Sequence, residues 1–197
     1  MTRPPAEVGM PVAEIDTPAL VVDLDAYERN LDRMAGWAAR ARVRLRPHAK
    51  THKCPVIALH QIARGAVGVC CQKVMDVDYK RVEGFPAEFE NALFVLATIM
   101  SRPTRDRAVL DAGLKALGVD AGFPLVQEMP EVEYVRASDE HGKLRLHDPE
   151  ATLRVGDKLW LIPGHCDPTI NLYDWYVCVR GGRVEALWPI TARGAVL

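Results

Sequence analysis

Trp175-Tyr176-Val177-Cys178-Val179-Arg180-Gly181-Gly182-Arg183-Val184-Glu185-Ala186-Leu187 decides the class of the carboxyl-terminal half. β-Branched and aromatic residues flank a Gly-Gly pair, and adjacent glycines supply the positive φ that a two-residue hairpin turn requires. Two strands, 175–179 and 184–187, are therefore expected around that turn. Upstream, 158–162 is a short apolar strand. His141-Gly142 reads as a turn between Tyr134-Val135 and 144–146. Gly113 suggests a bulge or bend within 109–119, and 91–100 is an apolar run richer in β-preferring residues than a helix would be. Short strands punctuated by turns predict a mostly antiparallel β domain over 91–197.

The amino-terminal part has a different rhythm. Thr17-Pro18-Ala19-Leu20-Val21-Val22-Asp23 reads as a strand, with Asp23 or Asp25 as the cap of the next helix, and Tyr27, Leu31, Met34 and Ala38 recur at helical spacing. Val43 and Leu45 alternate with Arg44 and Arg46 in a brief strand that Pro47 ends, since proline has no N–H to donate. A helix opened by Pro55 and closed by Gly65 follows, then a third strand-like run at 67–74. Strand, helix, strand, helix, strand is the opening of a parallel α/β array. The expected class is α+β, an incomplete amino-terminal β/α part followed by the β domain. The expected divisions are a leader at 1–16, the β/α part at 17–74 and a polar connection at 75–90, broken by Gly84 and Pro86.

The 197 residues suffice for one good core or two small ones, and the net charge of -1 lacks the basic surplus that nucleic acid or an anionic membrane surface would call for. No stretch approaches the ~18 apolar residues of a spanning helix, and residues 1–11 lack the apolar core of a signal peptide. Five cysteines, among them the adjacent Cys70-Cys71 and with no C-x-x-C, predict reduced thiols in a cytoplasm.

Two clusters carry chemistry. Arg46-Pro47-His48-Ala49-Lys50-Thr51-His52-Lys53 places a lysine at a strand's carboxyl end, with His48, His52 and Lys53 as neighbours able to favour the neutral, nucleophilic amine. Taken alone, the same stretch also reads as a solvated basic loop that binds a passing anion. Pro163-Gly164-His165-Cys166-Asp167-Pro168-Thr169 follows the 158–162 strand. In extended backbone His165 and Asp167 point to one side and suit a shared manganese, zinc or magnesium ion, with Cys166 on the other side. An H-x-D pair is also a common surface turn. His60 reads as a helix residue, His141 as a turn residue and possible neighbour of the site. Trp160, Tyr173, Trp175, Tyr176 and Trp188 read as core or dimer packing.

These blocks, together with Gly68-Val69-Cys70-Cys71-Gln72-Lys73, Asp111-Ala112-Gly113-Leu114-Lys115 and Asp139-Glu140-His141-Gly142, resemble in order the motifs of the metal-activated pyridoxal-phosphate enzymes of the alanine racemase fold. That family contains D-threonine aldolases, D-3-hydroxyaspartate aldolases and D-serine dehydratases, each a barrel followed by a β domain. The resemblance implies that Lys50 is the Schiff-base lysine, that His48 and His52 help bind the cofactor, and that His165 and Asp167 hold the divalent metal. In the dehydratases a cysteine usually stands where Asp167 stands here, which favours an aldolase acting on a D-β-hydroxy-α-amino acid such as D-threonine. A complete barrel takes ~200 residues or more, so this chain resembles an internally shortened member, and the family's phosphate-binding loop has no match in it. The alternatives are a D-serine dehydratase-type lyase and a non-catalytic, metal-binding or dimerising remnant. The expected assembly is a homodimer.

Overall fold

A computed structural model describes residues 2–70, 89–148 and 152–194. Strand β1 (Ala19–Asp23) leads into helix α1 (Leu24–Ala41), and α2 (Pro55–Ala63) follows the lysine stretch. Then come β2 (Leu93–Thr104), β3 (Arg107–Leu110), β4 (Leu125–Val126), β5 (Val132–Ala137), β6 (Gly142–Leu146), β7 (Lys158–Ile162), the short helix α3 (Cys166–Ile170), β8 (Trp175–Arg180) and β9 (Arg183–Pro189). The strands form one sheet in the order β3-β6-β5-β4-β7-β2-β1-β8-β9, and β2 also pairs with β3. That second pairing closes β2, β3, β6, β5, β4 and β7 into a six-stranded antiparallel barrel, from which β1, β8 and β9 extend.

The twelve residues of β2 make this closure possible. Its first part pairs with β1 and β7, while register shifts at Ile99, Ser101 and Thr104 turn its second part onto β3. Bulges of this kind bend a strand and increase its twist. The expected hairpins form: β5 with β6, and β8 with β9 around Gly181 and Gly182, whose φ values of 55° and 75° match the turn anticipated for a Gly-Gly pair.

The 109–119 expectation is corrected, because the strand stops at Leu110. Gly113 lies in the turn that follows, where a Cβ would stand 2.3 Å from the Ser138 carbonyl oxygen. Close backbone approach, not a bulge, is the reason for glycine there.

β1 also departs from the expected parallel array. It pairs antiparallel with β2 and parallel with β8, inside the β sheet. Leu20 and Val22 pack in the larger core with Val95, Leu161 and Tyr176, while Ala19 and Val21 pack in a second core with Leu96, Val177 and Ile15. Burial on both faces produces the same unbroken apolar run as a parallel barrel strand, so the run alone does not specify which strands flank it. Asp23 is the cap of α1, accepting from the N–H groups of Asp25 at 2.9 Å and Ala26 at 3.1 Å.

Residues 43–46 do not form a strand, and the run expected at 67–74 is described only as far as residue 70. A thin parallel pairing nevertheless joins the two: Val67 N–H donates to Leu45 O at 2.9 Å, Cys70 N–H to Pro47 O at 2.7 Å and Ala49 N–H to Cys70 O at 2.7 Å. Val43, Leu59, Ile62 and Val67 are exposed apolar side chains in this region. No helix among the described residues is long and apolar enough to cross a membrane. Among the described residues, Cys54, Cys70 and Cys178 are free thiols.

Candidate active site

The lysine stretch ends in a turn, residues 50–52, that is drawn onto the β domain from both sides. The Tyr176 hydroxyl in β8 donates to the His52 carbonyl at 2.8 Å, and Ala192 N–H donates to the Lys53 carbonyl at 3.3 Å. Tyr176 is fully buried, and burial pushes its phenol well above the usual tyrosine pKa, so the hydroxyl keeps its proton and remains a donor.

Opposite this turn stands α3. The expectation of extended backbone across 165–167 is corrected: His165 is the N-cap and Cys166 is already helical, so the alternation that was to place His165 and Asp167 side by side does not apply. Helical residues two apart do not share a face. Asp-Pro fits a first helical turn, where a carboxylate meets unpaired N–H groups and the proline needs no donor. Thr169 fixes the turn, donating to the His165 carbonyl at 2.7 Å and accepting from Gly118 N–H at 3.0 Å.

Asp167 is 7% exposed and faces the lysine turn. Lys50 Nζ lies 2.5 Å from its Oδ2 and Lys53 Nζ 3.1 Å from its Oδ1. Tertiary structure thus brings the carboxylate of one motif onto the two lysines of the other, 114 positions away in the case of Lys53. His165 turns elsewhere: its Nδ1 lies 2.7 Å from Asp120 Oδ2, in the loop after β3. An imidazole that donates from Nδ1 to a carboxylate carries its lone pair on Nε2, an arrangement common among metal-binding histidines.

His52 is buried, and burial lowers its pKa, so the ring is neutral near pH 7. Its Nδ1 accepts from Cys54 N–H at 3.2 Å, which puts the ring proton on Nε2. Nε2 is buried and, although Gln61 is a neighbour, neither that nitrogen nor Gln61 Oε1 has a partner of regular geometry among the described residues. His48 Nδ1 is buried and unpartnered in the same sense. Buried polar atoms are normally satisfied, so these two nitrogens suit polar groups of a bound molecule.

The residues thus fit a cofactor that offers a carbonyl carbon to the 30% exposed Lys50 side chain and polar ring substituents to His48 and His52. For a divalent ion, His165 and Asp167 supply one nitrogen and one carboxylate. Among the described residues no group of three or more His, Cys, Asp or Glu side chains converges to complete such a set.

Other candidates have structural partners. His60 Nδ1 lies 3.2 Å from the Tyr27 hydroxyl and its ring meets Trp188 edge-on, while His141 is exposed in the β5–β6 turn. Asp120 was not singled out from sequence, because nothing local links it to a histidine 45 positions on.

A family described as "Putative serine dehydratase domain" matches residues 92–179. The 3-hydroxy-D-aspartate aldolase of Paracoccus denitrificans is 50% identical over 126 residues, 61% of this chain but 32% of that protein. The D-threonine aldolase of Arthrobacter sp. is 28% identical over an alignment of 364 positions covering 97% of this chain and 96% of that protein. That alignment is longer than the chain, so a large internal part of the aldolase has no counterpart here. The crystal structure of D-threonine aldolase from Filomicrobium marinum superposes with a TM-score of 0.91 at 28% identity, covering 98% of this chain and 100% of that one. Residues 92–179 thus match the serine dehydratase-type domain, and the chain is similar to D-threonine aldolase and 3-hydroxy-D-aspartate aldolase.

Proposed function

We propose that this chain is a pyridoxal-phosphate-dependent lyase of the aldolase type, cleaving a D-β-hydroxy-α-amino acid such as D-threonine between Cα and Cβ. The observation that carries the reading is the 2.5 Å contact between Lys50 Nζ and Asp167 Oδ2, which makes one site of two distant motifs. Pyridoxal phosphate, when bound, supplies the electron sink for the charge left at Cα. Lys50 provides the amine that holds it, and His48 and His52 provide buried nitrogens for its polar substituents.

His165 and Asp167 are the proposed holders of a divalent ion (manganese, zinc or magnesium), whose Lewis acidity would act at the substrate's β-hydroxyl. Asp167, in the place where dehydratases carry cysteine, favours retro-aldol cleavage over dehydration. We read residues 17–74 as what is kept of a β/α barrel after a leader at 1–16, and residues 91–197 as the β domain. The connection at 75–90 lies almost wholly outside the described residues. A homodimer in the cytoplasm is the expected setting, in keeping with the free thiols.

The exposed side chains of Val43, Leu59, Ile62 and Val67 support a second reading, a non-catalytic remnant that binds metal or dimerises through this apolar face. One experiment separates the two. The chain is mixed with pyridoxal phosphate and manganese, its visible spectrum is recorded, and D-threonine and D-serine are offered. Visible absorbance together with glycine and acetaldehyde from D-threonine supports the aldolase, whereas pyruvate and ammonia from D-serine would indicate a dehydratase. A spectrum of free cofactor and no turnover would leave the remnant.

A further inference from the structure

The barrel wall made by β3, β6 and β5 carries a second concentration of charge. Outward and inward residues alternate along these strands: Arg107 and Val109 flank the buried Ala108, and Lys143 and Arg145 flank the buried Leu144. Register then sets the outward side chains against one another. Arg107 stands directly opposite Arg145 and Val109 opposite Lys143. On the other side of β6, a register shift between Tyr134 and Arg136 makes Val135 an extra residue and sets Arg136 opposite Lys143. Like charges directly opposite weaken a ladder. Two such pairings side by side oppose the sheet that contains them, and a bound anion would turn both to advantage.

A cavity of about 240 Å³ opens over these positions. Arg107, Lys143 and Arg145 line it with Pro103, Val109 and Val135, and no carboxylate among the described residues does so. The acids around it are held from the flanks. Asp106 accepts from the Thr104 hydroxyl at 2.6 Å, and Glu133 lies 3.7 Å from Arg145 and 3.1 Å from His147. Arg107 Nε donates to the Thr104 hydroxyl at 3.0 Å, which leaves the rest of its guanidinium to face the cavity. Among the described residues, Arg136 and Lys143 have no acceptor within hydrogen-bonding distance.

We propose that this cavity binds a small phosphate monoester, its dianionic head held by Arg107, Lys143 and Arg145 and its apolar body resting on Pro103, Val109 and Val135. Guanidinium groups match phosphate oxygens in pairs, and an ammonium adds a point charge. Neighbouring strands lie about 4.8 Å apart and alternate residues about 6.8 Å apart, so three long side chains can converge on one head group. The volume falls below the about 300–1,000 Å³ of sites for drug-sized ligands, which suits an ester of few carbons and not a nucleotide. This site shares no residue with the lysine turn or α3, so it stands whether or not the lyase reading holds.

The test uses the full chain at about 0.15 M salt, where long-range attraction is screened, with phenyl phosphate, inorganic phosphate and benzyl alcohol as probes. Titration followed by backbone amide shifts should move residues 107–109, 135–136 and 143–145. Phenyl phosphate should bind severalfold more tightly than inorganic phosphate, because its ring adds apolar burial, and benzyl alcohol should leave these amides unmoved. Lys143→Gln and Arg107→Gln should each weaken phenyl phosphate binding about tenfold, as loss of a charge-assisted bond does, while Arg40→Gln on α1 should bind as the parent does. Without ligand, Lys143→Gln should melt no lower than the parent, since it gives up no bond. Shifts confined to residues 48–53, binding in Lys143→Gln equal to the parent's, or tighter binding of a short oligothymidylate than of phenyl phosphate would overturn the proposal.

Discussion

At Asp167 a carboxylate with little exposure meets two ammonium groups, and removing it takes one counter-charge from both. An exposed loop aspartate would be dispensable for stability, as the sequence reading of an open metal loop implies. The buried position changes that expectation. Asp167→Ala should lower stability by about 1–3 kcal/mol, less than a fully buried pair because the lysines are partly hydrated, and should remove any upward shift of the melting temperature by manganese. Cys166→Ser should keep that shift. A manganese shift that survives Asp167→Ala but is lost in Cys166→Ser would make the cysteine the ligand and reverse the preference for an aldolase. Gly164 offers a second residue-scale test, since a Cβ there would stand 2.2 Å from the Gly122 carbonyl oxygen. Gly164→Ala should cost about 1–3 kcal/mol by overpacking, read as a lower denaturation midpoint.

The elements differ in how completely they are partnered. β1 and β7 each have strands on both sides, whereas residues 43–49 and 67–70 share a few parallel hydrogen bonds. Amide exchange should therefore be slower across β7, β8 and β9 than across residues 43–70. Equal protection would mean that the amino-terminal segment has gained cover that its exposed apolar residues do not show. The β8–β9 turn carries its own test, because nothing lies within 4 Å of a Cβ at Gly181 and only its φ of 55° constrains the choice. Gly181→Asn should be nearly neutral in thermal melts. Gly181→Val should cost about 1–2 kcal/mol, the ordinary price of a left-handed conformation for such a residue.

Across the whole molecule the amino terminus is tied to the far end of the chain through Asp174. Its Oδ2 accepts from Thr2 N–H and from the Thr2 hydroxyl, each at 2.7 Å, and Arg193 bonds its Oδ1. The Thr2 N–H and hydroxyl, followed by the Arg193 guanidinium, hold this carboxyl well below the usual carboxylate range. A depressed folded-state value means that the stabilisation is present in full above the unfolded-state pKa of about 4 and is lost progressively as pH falls below it. The melting temperature of Asp174→Asn should thus lie below that of the parent at neutral pH, and the two should converge as the solution is acidified below about pH 4. A gap that stays constant with pH would show that the link acts through packing and not through charge.

Local chemistry already legible in the order of residues included the Gly-Gly hairpin, the Asp23 cap, the proline-led second helix and the five-residue strand before Pro163. Each depends on neighbours within a few positions, where turn φ, capping and strand alternation act. Long-range choices belonged to the tertiary structure alone: β1 between β2 and β8, the bent β2 that closes the barrel, the turn of His165 toward Asp120, and the meeting of Lys50 and Lys53 with Asp167. An apolar run buried on both faces looks the same whichever strands flank it. A lone carboxylate carries no local mark of which distant ammonium will balance it once water is excluded, so that pairing exists only after the two motifs have been packed together.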